Sequence, residues 1–372
     1  MEETTLMKMR VQLLAGAAIA MAFLGGHARA DQMSDAKAFL AKYAQHVTTW
    51  DGPTTGPKAV AGKNIVVLAG DMKNGGILGV TQGFQEAAKV VGWHVRVIDG
   101  AGTVSGRTSA FSQALALKPD GIVIEGFDPI EQRPGLQAAQ TAGIPIVAWH
   151  AGAALGPIPG TAVHVNVSTD PMLVSKAAAY WAYIDAGGKP GVIIFTDGQY
   201  SIAVAKAQAM KKAIEQLGGT VLAYEDTPIA DTSQRMPQLT TSLLQKFGAK
   251  WTDSLAINDI YYDFMGPSLE DAGIDGTGDP KAVAAGDGSK SAYERIRTGQ
   301  YQSVTVAEPL NLQGWQLVDE MNRAFAGQPW SGYVSPFHVV TQANIAYDGG
   351  PKDAFDPDNG YRDHYKAIWG VQ

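Results

Sequence analysis

The chain has 372 residues, no cysteine and a formal net charge of −7. That length suits two domains of ordinary size, and the lack of thiols excludes a disulfide framework, a thiolate zinc site and a cysteine nucleophile. An acidic chain without basic runs also argues against nucleic acid and anionic membrane surfaces as partners.

Residues 1–30 have the pattern of a secretory signal. Lys8 and Arg10 form a basic start, and Val11 to Leu24 is an apolar stretch without charge. Ala28-Arg29-Ala30 then has the small-residue spacing of a cleavage site, so the mature chain is expected to begin at Asp31 in the periplasm. A membrane anchor or a buried helix is the alternative, although the stretch is short for a span. Glu2 and Glu3 are unusual before the basic start, which leaves Met7 or Met9 as other translation starts. Residues 31–60 form an N-terminal helical extension. Ala36, Phe39, Leu40, Tyr43 and Val47 share one helical face, and the turn-rich run from Trp50 to Pro57 ends it.

A repeating unit follows. Apolar runs at Asn64 to Ala69, Trp93 to Ile98, Gly121 to Glu125 and Ile144 to Trp149 are each bounded by turn residues. Such short runs suit buried parallel strands, and the helical patterns between them predict right-handed crossovers. The glycine- and proline-bearing loop from Ala151 to Gly160 breaks the rhythm. A second half follows, with apolar runs at Val163 to Val167, Val192 to Phe195, Val221 to Tyr224, Leu255 to Ile257, Val283 to Ala285 and Ser303 to Val306. The last stretch, from Ala343, is rich in Asp, Gly and Pro. Its Tyr361, Tyr365 and Trp369 are expected to anchor a tail on the body, because exposed aromatic clusters are unfavourable in water.

No G-x-S-x-G elbow or Walker loop occurs. The seven histidines show no metal-ligand spacing, and no cofactor or metal is expected. The glycines of Asp99 to Gly106 follow the second strand with the wrong spacing for a dinucleotide loop. What recurs is polar and aromatic side chains at strand ends. Asp71, Lys73 and Asn74 follow the first strand, Phe127 and Asp128 the third, and Trp149 and His150 the fourth. In the second half the same places hold Gln199 and Tyr200, then Asn258, Asp287 and Glu308. Carboxylates and amides pair with vicinal hydroxyls, and aromatic rings cover the apolar faces of sugars. The competing reading is that each Asp or Asn merely caps the next helix, and that Trp149 packs a hinge.

The fragments GVTQGFQEAAKVVGWHV (79–95), KPDGIVIEGFDP (118–129), AGIPIVAW (142–149), LAINDIYYDFMGPSLEDAGI (255–274) and AVAAGDGSKSAYERIRTGQYQSVTVAEP (282–309) occur in that order. In order and spacing the chain resembles the ribose/galactose/xylose type of periplasmic sugar-binding protein, partners of ABC transporters. The resemblance implies an α/β, type I periplasmic-binding-protein fold. Two doubly wound, Rossmann-like parallel-sheet lobes would be joined by a three-strand hinge. It implies an N-terminal lobe of residues 61–149 plus 309–336, a C-terminal lobe of 150–308 plus 337–345, and a tail of 346–372 on the body. The crossings would fall near Trp149–Ala151, Glu308–Pro309 and Ser335–His338. Carried over by position, the family's ligand aspartates fall on Asp128 and Asp287 and its asparagine on Asn258. Its usual glutamine is here Glu308, and its second-lobe arginine position holds Val204.

The implied function is capture of a neutral sugar or polyol between the lobes and delivery to an ABC-transporter permease in the inner membrane. The protein is expected to be a monomer and not an enzyme. A sensor component serving a histidine kinase or chemoreceptor would use the same pocket, and a secreted sugar-active enzyme is a further alternative. The carboxylate-rich set, with Lys73 its only formal cation, favours neutral hydroxyls over sugar acids, with an amino sugar as the second choice.

Overall fold

The computed structural model describes residues 30–372. The expected signal, with its cleavage motif up to Arg29, therefore lies outside the described residues. Residues 30–43 form helix α1, which buries Ala36 and Leu40 and half-buries Phe39 and Tyr43. That is the face its spacing predicts. No helix among the described residues is long and apolar enough to cross a membrane.

The first lobe is built on β1 (Asn64–Ala69), β2 (His94–Asp99), β3 (Gly121–Glu125), β4 (Ile146–Trp149) and β5 (Val163–Val167). These make one parallel sheet in the order β2-β1-β3-β4-β5. Helices α2 (Gly75–Val90), α3 (Val104–Ala116) and α4 (Arg133–Thr141) link its first four strands. Of the central strands, β3 and β4 are buried entirely and β1 from Ile65 on, whereas the edge strand β2 exposes His94, Arg96 and Asp99. Continuous apolar runs are what a sheet covered on both faces requires.

The second lobe contains α5 (Pro171–Asp185), β6 (Gly191–Thr196), α6 (Ser201–Gln216), β7 (Thr220–Asp226) and α7 (Thr232–Phe247). It continues with β8 (Asp253–Ala256), α8 (Gly266–Asp271), β9 (Lys281–Ala284), α9 (Lys290–Thr298) and β10 (Gln302–Ala307). Helix α10 (Leu310–Phe325) then returns to the first lobe, and β11 (His338–Thr341) closes the second sheet. That sheet runs β11-β10-β9-β8-β6-β7, parallel except for β11 against β10. α10 lies tightly on α2, where a Cβ at Gly314 would come within 2.3 Å of the Phe84 backbone nitrogen. The chain ends with α11 (Ile345–Asp348) and α12 (Tyr361–Trp369). Trp369 of α12 stacks on Trp315 of α10 at 5.5 Å, and Tyr361 and Tyr365 are buried beside it.

One strand departs from the sequence reading. Val163 to Val167 was expected to open the second half, with the first crossing at Trp149–Ala151. It is instead β5, the fifth strand of the first sheet, so the chain crosses only after Val167. The reason is the loop before it. Asn166 accepts from the Ala151 backbone N–H at 2.9 Å and donates to the carbonyls of Gly152 and Ala154 at 3.1 and 2.7 Å. These bonds fold a helix-free connection back on itself. A parallel neighbour usually needs an intervening helix, which is why the break looked like a domain boundary.

Candidate ligand-binding site

Each sheet has a switch point where strand order reverses, between β1 and β3 and again between β6 and β8. Ligands of open α/β sheets bind beyond the carboxyl ends of strands at such points. Here the two switch points face each other across a cleft. Tyr200 Oη lies 3.3 Å from Arg107 Nη1, Ser201 Oγ 3.0 Å from Asp128, and Asn258 Nδ2 3.4 Å from Asn74 Oδ1. The first turn of α2 also abuts the loop after β9, where a Cβ at Gly76 would strike Asp287 Oδ2 at 2.2 Å. Glycine at that position is what permits the approach.

The lobes are thus closed on a cavity of about 50 Å³. Of the residues singled out in the sequence, Asp71, Asn74, Trp149, His150, Tyr200, Asn258 and Asp287 wall it. The capping reading is also true of some. Asn74 Oδ1 accepts from Gly76 N–H at 2.9 Å, and Asn258 Oδ1 from Ile260 N–H at 3.0 Å. The cap uses only the oxygen, and Asn258 Nδ2 is left to donate to Asp287 Oδ2 at 2.7 Å.

The remaining candidates do not wall the cavity. Lys73 and Gln199 stand exposed on the turns of their loops. Phe127 is buried in the first-lobe core under the Arg107 guanidinium, 5.7 Å from its ring. Asp128 sits at the rim and caps Ile130 at 2.9 Å. Glu308 lies behind His150, whose Nε2 donates to Glu308 Oε2 at 3.0 Å. His150 has a left-handed backbone, φ 48°, and its ring stacks on the adjacent Trp149 at 3.7 Å. Trp149 Nε1 donates to Gln313 at 2.8 Å, and Gln313 Nε2 donates to Glu308 at 2.9 Å and to Ser335 at 3.1 Å. Trp149 therefore serves both readings, as a cavity wall and as hinge packing.

The principal residue missed is Lys206 of α6, only 3 % exposed and lining the cavity. Its Nζ donates to Ala285 O at 2.9 Å and lies 3.7 Å from Asp287 and 3.8 Å from Glu308. A signal existed: Ile202, Lys206, Met210 and Ile214 fall at i, i+4 spacing on one buried face. A lysine interrupting an apolar stripe must be paired. Burial raises the Asp287 carboxyl above its ordinary range despite Lys206 and His150. Burial acts on Glu308 in the same sense, but the charge and hydrogen bond of His150, then Lys206 and Gln313, outweigh it and hold that carboxyl low.

His150, Asp287 and Glu308 could offer ligand atoms within 4.8 Å of one another to a metal ion. The Lys206 ammonium beside both carboxylates would repel a divalent cation. Larger hollows, of about 800 and 460 Å³, lie around Tyr301 and Gln302 on the second lobe. They lie by the amino-terminal residues Lys281 of β9 and Gln302 of β10, away from the carboxyl ends that wall the cleft, and charged groups such as Arg295 and Asp263 there pair with each other.

The periplasmic binding protein domain matches residues 65–329. An ABC sugar transporter subunit from Rhodobacter sphaeroides 2.4.1 is 20 % identical with a TM-score of 0.66, over 76 % of this chain and 99 % of that one. An ABC transporter solute binding protein from Agrobacterium vitis, bound with α-D-tagatopyranose, is 18 % identical with a TM-score of 0.70, over 79 % of this chain and 99 % of its own. A second from that organism, with bound allitol, is 19 % identical with a TM-score of 0.67, over 77 % and 98 %. No curated protein matches the chain. At these identities the solved structures speak for the fold, and the domain match speaks for descent. The chain belongs to the periplasmic binding protein domain family, with the two-lobed type I fold.

Proposed function

We propose that this protein is the extracytoplasmic solute-binding component of an ABC transporter, capturing a neutral sugar or polyol between its lobes and delivering it to the permease. The observation that carries the ligand class is the Lys206–Asp287 pair on the cavity wall, beside Asp71, Asn74 and Asn258. Lys206 Nζ and Asp287 Oδ1 stand 3.7 Å apart, too far for a hydrogen bond to each other. A hydroxyl oxygen between them can accept from the ammonium and donate to the carboxylate. A carboxylate there would face Asp287 and Asp71, and an ammonium would face Lys206. Lys206 already has two carboxylates beside it, with Asp71 a third acid on the wall, so no spare cation is left for an acidic ligand. The cavity of about 50 Å³ holds a few waters, so loading requires the lobes to part. The Agrobacterium vitis relatives, with a ketose and a polyol bound, agree with this class.

A thermal-shift screen of pentoses, hexoses, polyols, amino sugars and uronic acids tests the reading, since ligands of the native state raise its stability. The expected result is a shift with a neutral sugar or polyol. Preferential binding of a uronic acid would overturn it. Export to the periplasm is part of the same proposal. Mass spectrometry of protein secreted by a Gram-negative host should find an N-terminus at Asp31, and retention of Val11 to Leu24 in membranes would refute that.

A further inference from the structure

The matched domain ends at residue 329 and begins at residue 65. The segments outside it are not appendages of one lobe. The helix α1 packs on the second lobe, with Leu40 in its core and Tyr43 stacked on Phe337 at 4.1 Å. Val47 still touches the second lobe, packed against the cluster that holds Tyr293 and Phe355. Three residues on, Trp50 belongs to the first lobe, against Tyr333, His364 and Tyr365 at 5.4 Å each. The chain is then pinned there, with Asn322 Nδ2 donating to Pro57 O at 3.0 Å and Trp93 Nε1 to Val60 O at 2.7 Å.

The tail repeats the crossing. Phe355 is buried in the second lobe, and Asp353 pairs with Arg297 of α9. Six residues on, Tyr361 is buried in the first lobe, and Arg362 pairs with Glu86 of α2 at 2.6 Å. The two crossings also touch each other, through His46 and Asp348 at 3.0 Å and through Trp50 and His364.

We infer that residues 47–50 and 355–361 are two straps that widen the hinge beyond the three crossings of the sheets and restrain opening of the cleft. The lengths make the restraint physical. Three residues reach at most about 10 Å when fully extended, so parting of the lobes at Val47–Trp50 soon requires undocking of Trp50 or of α1. The straps act on the lobes whatever those lobes enclose.

The chain has no cysteine, so Val104→Cys and Tyr224→Cys would introduce two thiols at exposed positions, one on each lobe. Spin labels there report the interlobe distance by double electron–electron resonance. One variant carries a flexible Gly/Ser insertion between Thr48 and Thr49, both exposed. A second carries the same insertion after exposed Asp358. Insertions in exposed loops cost little stability, and they leave both docking surfaces intact while removing tension. Each should raise the long-distance fraction on the order of tenfold, the factor that one or two aromatic pairs hold back. Trp50→Ala should reproduce the first effect. Unchanged distances in both insertion variants would overturn the inference. So would a shift in Trp50→Ala alone, which would assign the effect to ring packing and not to a strap.

Discussion

Glu308 ties the crossing after β10 to its neighbours, so Glu308→Gln tests whether the cluster around it works as a unit. The side chain is 1 % exposed and accepts from His150 at 3.0 Å and Gln313 at 2.9 Å, with Lys206 at 3.8 Å. The amide keeps the shape and one acceptor, but it turns an NH2 toward a donor and leaves Lys206 less compensated. Removing one partner of a buried pair costs about 3–5 kcal/mol, and the retained acceptor places this substitution near ~3 kcal/mol. At roughly 2–4 °C per kcal/mol, the melting temperature at pH 7 should fall by ~6–12 °C in scanning calorimetry. Because the Glu308 carboxyl is held below its ordinary value of 4.5, its contribution is present above that pH. It is lost as the pH falls through the lower folded value. The gap between wild type and variant should therefore narrow on acidification below pH 4.5. Adding Lys206→Met removes the uncompensated ammonium, so the double variant should lose less than the two single losses combined, by roughly 0.5–3 kcal/mol. Strict additivity would refute the view of the cluster as one charge-balanced unit.

Other expectations follow from the same geometry. Asn258→Ala and Asp287→Ala should each weaken binding of the solute identified by thermal shift by roughly 10–100-fold, measured by calorimetry, with circular dichroism unchanged; near-wild-type affinity in both would remove them from the site. Trp149→Phe deletes the bond to Gln313 and the indole beside the cavity, so the change in tryptophan emission on binding should shrink, and an unchanged response would assign Trp149 to the hinge alone. Glu125 is fully buried on β3, and burial, against a hydrogen bond with Thr81, pushes its carboxyl up to about 8. Thr81 Oγ1 has both Ile77 O, at 2.8 Å, and Glu125 Oε2 within hydrogen-bond reach. Between pH 4.5 and 8 the folded protein holds a proton that the unfolded chain has released, so stability falls as pH rises through that window. Glu125→Gln should gain melting temperature over wild type progressively across it, and a gap independent of pH would contradict the burial argument.

Strand positions and their polar ends were legible in the linear chain for a local reason. An apolar run ends where its strand leaves the sheet, so Asp71, Asn74, Trp149, His150, Asn258 and Asp287 could be named from where the runs stop, and all of them wall the cavity. Lys73 and Gln199 also lie in strand-end loops but stand exposed, outside the cavity wall, because side-chain direction on a turn depends on backbone geometry that residue order does not express. Lys206 sits on a helix, and its place in the cavity depends on the rotation of α6 against β6 and on closure of the two lobes. The sheet that receives β5 was settled by the Asn166 side chain bonding across its own loop. The straps belong to the same class. Helical spacing disclosed the apolar face of α1 and the aromatic tail, but which lobe each one covers depends on surfaces brought together from residues hundreds of positions apart, such as Tyr43 with Phe337 and Trp50 with His364. Periodicity encodes what a segment must bury, and only the assembled lobes determine against what.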